Sequence, residues 1–404
     1  MLKRIVAITF IFFCTTIGWA ILGSTIYYRS SVPVEALRTS VSNTWGVAQE
    51  QRPPSASYTE RVERMEKITE NGKVVERLAQ QDTHVMIPLE RSNVDVDLQL
   101  EYRQKGLLWF STYTVAFKGV YRFHNTTGRN QTIDFNFPYP ANQATYDGLV
   151  FMINGVPVAD KNASGSLGGS KLMLPDETAE ITVAYRSQGL DRWTYNFQGQ
   201  PAHIQDFNLN MTTNFRAIDF PENTLSPVGR EQTPGGWKLN WNYSSLVTSY
   251  AIAMEMPRRL QPGPLAGQIS YFAPVSLFFF FFLMFIITTV RKIDLHPMNY
   301  FFIATAFFAF HLLLAYLVDH LSIHTSFVIC SLVSVFLVVT YLRLVVNIRF
   351  ALVEAAGTQF VFLILFSYAF FFQGFTGLAI TIGAIITLFV VMQVTGKVDW
   401  GKLL

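Results

Sequence analysis

Cysteine is nearly absent: Cys14 and Cys330 are the only two in 404 residues, and both fall inside apolar runs. Whatever part of the chain lies in water therefore has no disulfide and must be held by its own core. Charge is sparse too, at 15% of residues with a net charge of +3. No global field recruits nucleic acid, and the basic residues inform more by position than by number. The familiar signatures of catalysis are missing: there is no His-Glu-x-x-His pair, no phosphate-binding glycine loop and no serine-centred nucleophile elbow. No catalytic residue, metal or cofactor is expected from these patterns.

What is abundant is apolar. Half the residues are hydrophobic and 36 are Phe, and beyond residue 268 uncharged runs of roughly 20 residues recur, the length that crosses about 30 Å of hydrocarbon. The expected spans there are about 269–290, 298–318, 326–346, 360–372 with a start near Ala351, and 377–394. Lys3-Arg4 precede a further uncharged run from Ile5 to Tyr27, too long for a cleavable signal and read as a signal anchor. That makes six. Lys3/Arg4, Arg291/Lys292, Arg343/Arg349 and Lys397/Lys402 fall on one side when the spans are threaded alternately, so both termini are expected in the cytoplasm.

Residues 29–267 contain no span and alternate with period two. Val94, Val96, Leu98, Leu100 and Tyr102 interleave with Asp95, Asp97, Gln99 and Glu101; Tyr113 to Phe123 and Ile133 to Phe137 repeat the pattern. Asn154-Gly155 is the preferred dipeptide of a tight hairpin. Further strands are expected around Ile181–Tyr185, Trp193–Phe197, Phe207–Met211, Trp237–Trp241 and Tyr250–Met254, a sandwich-like pattern in which half-buried strands need a second sheet to cover them. A short helix over Val34–Trp45, after Pro33 and ending at Gly46, and a stiff Pro262-Gly263-Pro264 connector flank the β region. The fold class is thus an α+β membrane protein: 1–28 anchor helix, 29–267 extracytoplasmic β-rich domain, 268–396 five-helix block, 397–404 tail.

The candidate binding residues form one polar set, His311, Asp319, His320 and His324. His311 stands mid-span, where an ionisable group usually faces the bundle interior. The other three gather at one mouth, where a carboxylate and two imidazoles are either zinc ligands or helix caps and interfacial anchors. Glu354, near Arg343 and Arg349, reads as an ion-paired acid at a helix start. Trp109, Trp193, Trp237 and Trp241 lie mostly on the apolar phase of strands and read as core, with a stacking platform for an envelope polymer as the alternative.

Leu295-His296-Pro297 followed by Tyr300, the run to Asp319-His320-Leu321, and Lys397-Val398-Asp399-Trp400 resemble the membrane portion of CreD, a bacterial inner-membrane protein family associated with cell-envelope integrity. Tyr102-Arg103 with Gly106, Tyr113 and Lys118-Gly119 is similar to that family's extracytoplasmic strand pair. The resemblance implies a non-enzymatic protein of the bacterial inner membrane, partnered by the lipid bilayer and by other envelope proteins or polymers. The loop Gln373-Gly374-Phe375-Thr376 departs from it, since the family tends to be acidic there. Two further readings stand beside this one: a periplasmic receptor or transport accessory, and an intramembrane metal-dependent hydrolase using the His311 to His324 set.

Overall fold

The structure, a computed structural model, describes residues 2–70, 73–105, 108–158, 165–197, 202–372 and 374–396. Gly106, Gln373 and the tail 397–404 lie outside them. Six helices are long and apolar enough to cross a membrane: Lys3–Arg29, Pro262–Val290, Pro297–Leu317, Ile323–Val345, Phe350–Phe371 and Thr376–Gln393. The chain divides into two compact units, 1–37 with 106–108 and 260–404, and 38–105 with 109–259.

These divisions fall later and earlier than 28/29 and 267/268 because both flanking helices run further than expected. The first helix is continuous over Leu2–Trp45, so the separate helix expected after Pro33 is instead the end of one element. Pro262-Gly263-Pro264 is not a connector but the opening turn of the second helix, with Gln261 as its N-cap. Proline suits that place because its φ is already helical and the first turn's N–H groups have no intrahelical partner.

In the β unit three sheets share one apolar core. The largest has eight strands, in the order Gly229–Gln232, Trp237–Thr248, Ala202–Thr213, Leu89–Lys105, Leu108–His124, Thr178–Leu190, Tyr146–Ile153 and Val156–Pro157. A four-stranded sheet joins Lys73–Ile87, Ser55–Glu70, Gln131–Pro138 and Ser166–Met173, and a three-stranded one joins Gln49–Gln51, Arg192–Tyr195 and Ile252–Glu255. Period-two alternation governs each: Val94, Val96 and Leu98 are buried while Asp95 and Asp97 face out. The outward residues are bonded across strands, as Asn208 and Asn210 donate to Asn93 (2.9 Å) and Asp95 (3.0 Å), and Asn240 donates to both Asn208 and Asn210.

Every strand expected from alternation is present. Trp193 and Trp241 are completely buried, whereas Trp237 packs on the core half-buried and Trp109 lies under the Arg259 guanidinium. The four therefore do not make an exposed stacking platform. Burial of each such ring contributes about 2–3 kcal/mol. The long hairpin Ser55–Glu70 and Lys73–Ile87 was not legible, since charged residues occupy both phases of its strands. It joins the Gln131–Pro138 strand only through Ser55–Ser57.

Between the first helix and the sheets, Gly46 turns the chain at φ +140°, and a Cβ there would collide with the Gln188 carbonyl oxygen. The turn delivers Gln49 and Gln51 into the core, where Gln49 donates to Ser187 Oγ (2.8 Å) and Gln51 Oε1 accepts from Tyr185 (2.7 Å). Burial raises the Tyr113, Tyr121, Tyr185 and Tyr195 phenols above their ordinary value of 10. They remain neutral hydrogen-bonding groups inside the core, Tyr113 donating to the Arg192 carbonyl at 2.8 Å.

Gly46→Ala is expected to destabilise the β unit by at least about 3 kcal/mol, from strain plus collision. Gly128→Ala, at φ +69° with open space around it, costs only about 1–2 kcal/mol; chemical unfolding of the two purified variants compares them. Because the four phenols are raised in the fold, their contribution is intact below about pH 10, the unfolded value, and is lost as pH climbs above it. Unfolding midpoints measured from pH 8 to 11 should fall over that window. Tyr185→Phe should be weaker at neutral pH, having orphaned Gln51 Oε1, but should fall less steeply.

Candidate functional site

The third helix is built to start and stop cleanly. His296 caps it, Nδ1 accepting from the Met298 N–H at 3.2 Å, and Pro297 occupies the first position. It ends at Val318, and after a short turn Ser322 caps the fourth helix by accepting from the Thr325 N–H. Asp319 and His320 lie in that turn, while His324 begins the next helix.

The structure gives these residues separate neighbours. Asp319 is ion-paired with Arg29 of the first helix at 3.2 Å. The same guanidinium donates to the Ala315 carbonyl and lies 5.1 Å from the Tyr316 ring. Arg29 thus closes the carbonyl end of the third helix, where a cation is favoured, and Asp319 balances it. His324 packs its ring against Phe371 of the fifth span, with centroids 5.1 Å apart. His320 is exposed. His311 stands eight residues before Asp319, about 12 Å along the helix. Among the described residues no three His, Cys, Asp or Glu side chains come together as a metal site needs.

His311 is fully buried. Its Nδ1 lies 3.0 Å from the Phe307 carbonyl, and since a carbonyl only accepts, Nδ1 carries the proton and Nε2 of the neutral ring is left as an acceptor. Nε2 has no hydrogen-bond partner, nor has the indole N–H of Trp19, whose ring stands edge-on to His311 at 5.7 Å. An acceptor and a donor from two different helices are thus held at membrane depth, a pair suited to gripping one small polar group or to fixing helix positions.

Three further polar contacts were not read from the sequence. Gln359 donates to Ser334 at 2.8 Å, and Ser334 donates to the Ala306 carbonyl, joining the fifth, fourth and third spans. Ser276 of the second span bonds the Phe362 carbonyl. Arg4 donates to Thr288, whose hydroxyl lies 3.3 Å from that of Tyr300. The signal for Ser334 was available: Ser326, Cys330 and Ser334 recur every four residues and share one buried face. Glu354 is ion-paired as expected of such an acid, but with Arg291 rather than with Arg343 or Arg349. Its side chain is 9% exposed.

Arg29 and Asp319 are partly exposed, at 38% and 21%, so their coupling is discounted for screening. A double-mutant cycle through Arg29→Ala and Asp319→Ala, read from thermal unfolding in detergent, should give about 0.5–1 kcal/mol.

No curated protein matches this chain. Among solved structures, it is similar to a Legionella pneumophila protein described provisionally as nutrient-binding. Identity is 12% and the TM-score 0.33, with 58% of this chain and 76% of that one covered. Residues 269–401, which take in the last five spans with their buried histidine and paired ends, match the family described as inner membrane protein CreD, and the membrane block of this chain belongs to that family.

Proposed function

We propose that this protein is a non-enzymatic component of bacterial cell-envelope integrity. In this reading Lys3 and Arg4 face the cytoplasm and the β unit stands in the periplasm. The orientation is supported by the basic residues Arg291, Lys292, Arg343 and Arg349, which belong to the helix ends on the Arg4 side, following the preference of Lys and Arg for the cytoplasmic face. Arg29, the basic residue at the other end, is neutralised by Asp319.

The observation that carries the reading is how the polar side chains of the block are used. Arg29–Asp319, Arg291–Glu354 and Gln359–Ser334 each join one helix to another. Such interhelical polar pairs contribute about 0.6–2 kcal/mol apiece in a membrane and fix helix register. Side chains spent in this way build a platform; they do not converge on a reacting centre. His311, edge-on to Trp19, fits the same role as an interior contact.

Deleting the gene should raise sensitivity to detergents, cell-wall antibiotics and envelope-directed toxins. Plasmid-borne wild type and His320→Ala should restore resistance equally, and the Arg29→Ala/Asp319→Ala double variant less completely at raised temperature. Unchanged sensitivity in the deletion strain would remove the reading, and loss of rescue by His320→Ala at normal protein level would favour chemistry at the mouth instead.

A further inference from the structure

Along the first two spans runs an open groove of about 430 Å³ lined by Ile5, Ile8, Phe12, Phe278, Phe282 and Phe285, with Thr9 and Phe13 on its rim. Several of its rings present large exposed faces, among them Phe13, Phe278 and Phe282, although Phe281 and Ile8 beneath them are buried. Hydrocarbon is the solvent at this depth, so exposed rings alone say only that lipid passes by. The end of the groove says more. Arg4, one residue before Ile5, is half-buried there, with its guanidinium carbon 5.8 Å from the Phe285 ring. Only Nη2 is used within the protein, on Thr288 Oγ1 at 3.2 Å, and the Nε–H has no hydrogen-bond partner. A guanidinium has five N–H donors in a planar fork that matches phosphate oxygens. Lys3 beside it is exposed.

We propose that this groove seats one acyl chain of an anionic phospholipid whose phosphate is held by Arg4 and Lys3, in the leaflet on the Lys3 side. The chain lies along Ile5 to Phe12, about 10 Å of helix, between the aromatic walls. Thr288 holds the guanidinium from behind and so aims its free donors at the phosphate, while Tyr300 supports Thr288 at 3.3 Å. Headgroup charge and tail packing act together, because the basic pair and the groove are contiguous on one helix. A basic pocket at the membrane surface is the recognised means of selecting an anionic headgroup, at about fivefold in affinity per basic residue.

The test uses the full chain purified in a neutral detergent, with native mass spectrometry following titration by phosphatidylglycerol or by phosphatidylcholine of the same acyl chains. Wild type should bind phosphatidylglycerol the more tightly. Arg4→Gln should weaken that binding about fivefold, whereas Arg343→Gln, at the same end but away from the groove, should leave it unchanged. Thr9→Trp, which fills the groove and leaves both charges in place, should weaken both lipids. Lys3→Gln, an exposed change that does not disturb Thr288, repeats the headgroup test if Arg4→Gln fails to fold. Equal affinity for the two lipids, equal loss in Arg4→Gln and Arg343→Gln, or undiminished binding by Thr9→Trp would each overturn the proposal.

Discussion

A polar side chain inside hydrocarbon must find a partner or carry a free-energy penalty of several kcal/mol. Most of the organisation of this membrane block follows from that constraint. Asp319 is tolerated because Arg29 reaches it from the first helix, and Glu354 because Arg291 does so from the second. Gln359 is fully buried among apolar rings and is satisfied through Ser334, which passes the bond on to a third-span carbonyl. Each satisfaction ties two or three helices in register, so the scarcity of charge in these spans is what gives the few polar groups their structural weight.

The β unit meets the opposite problem. Without a disulfide it depends on a continuous aromatic core, and it buries polar groups only where strands or the segment after Gly46 supply a partner. Gln51 with Tyr185, and Gln49 with Ser187, are the clearest cases. They place hydrogen bonds whose geometry is specific within packing that is otherwise tolerant. The three sheets of this unit consequently meet around a core that is apolar in bulk and polar at a few defined points.

Much of this was legible in the sequence, for a physical reason. Helices that cross hydrocarbon announce themselves by composition, and half-buried strands by alternation, so the spans and the strands from Val94 to Met254 could be read from local pattern. What depends on partners distant in the chain could not. Arg29 and Asp319 are 290 residues apart, and Ala202–Thr213 runs parallel to Leu89–Lys105 across a wide separation in sequence. The division of strands among three sheets belongs to the same class. The candidate set His311, Asp319, His320 and His324 was located in sequence but not resolved into neighbours, because whether an imidazole meets a carboxylate or a ring depends on the facing helix. Gln359 was overlooked because an uncharged amide barely alters the hydropathy of its span.

The fifth span has one more property, in its backbone. Phe350–Ala355 and Phe360–Leu365 are π-helical, with four residues of α-helix between them. A π turn holds one residue more than the α turn it replaces and leaves a carbonyl without its usual partner. The Phe362 carbonyl that receives Ser276 lies inside the second such turn, and Gln359 immediately precedes it. The span is therefore a helix with surplus length wound into it. Removing one residue from Phe360–Leu365 would let that turn relax to α geometry, rotating everything before it by about 100° relative to everything after it. Ser334 and Ser276 would then no longer be matched by the same helix, which makes this span the block's vernier: its residue count, more than any one side chain, sets which faces meet.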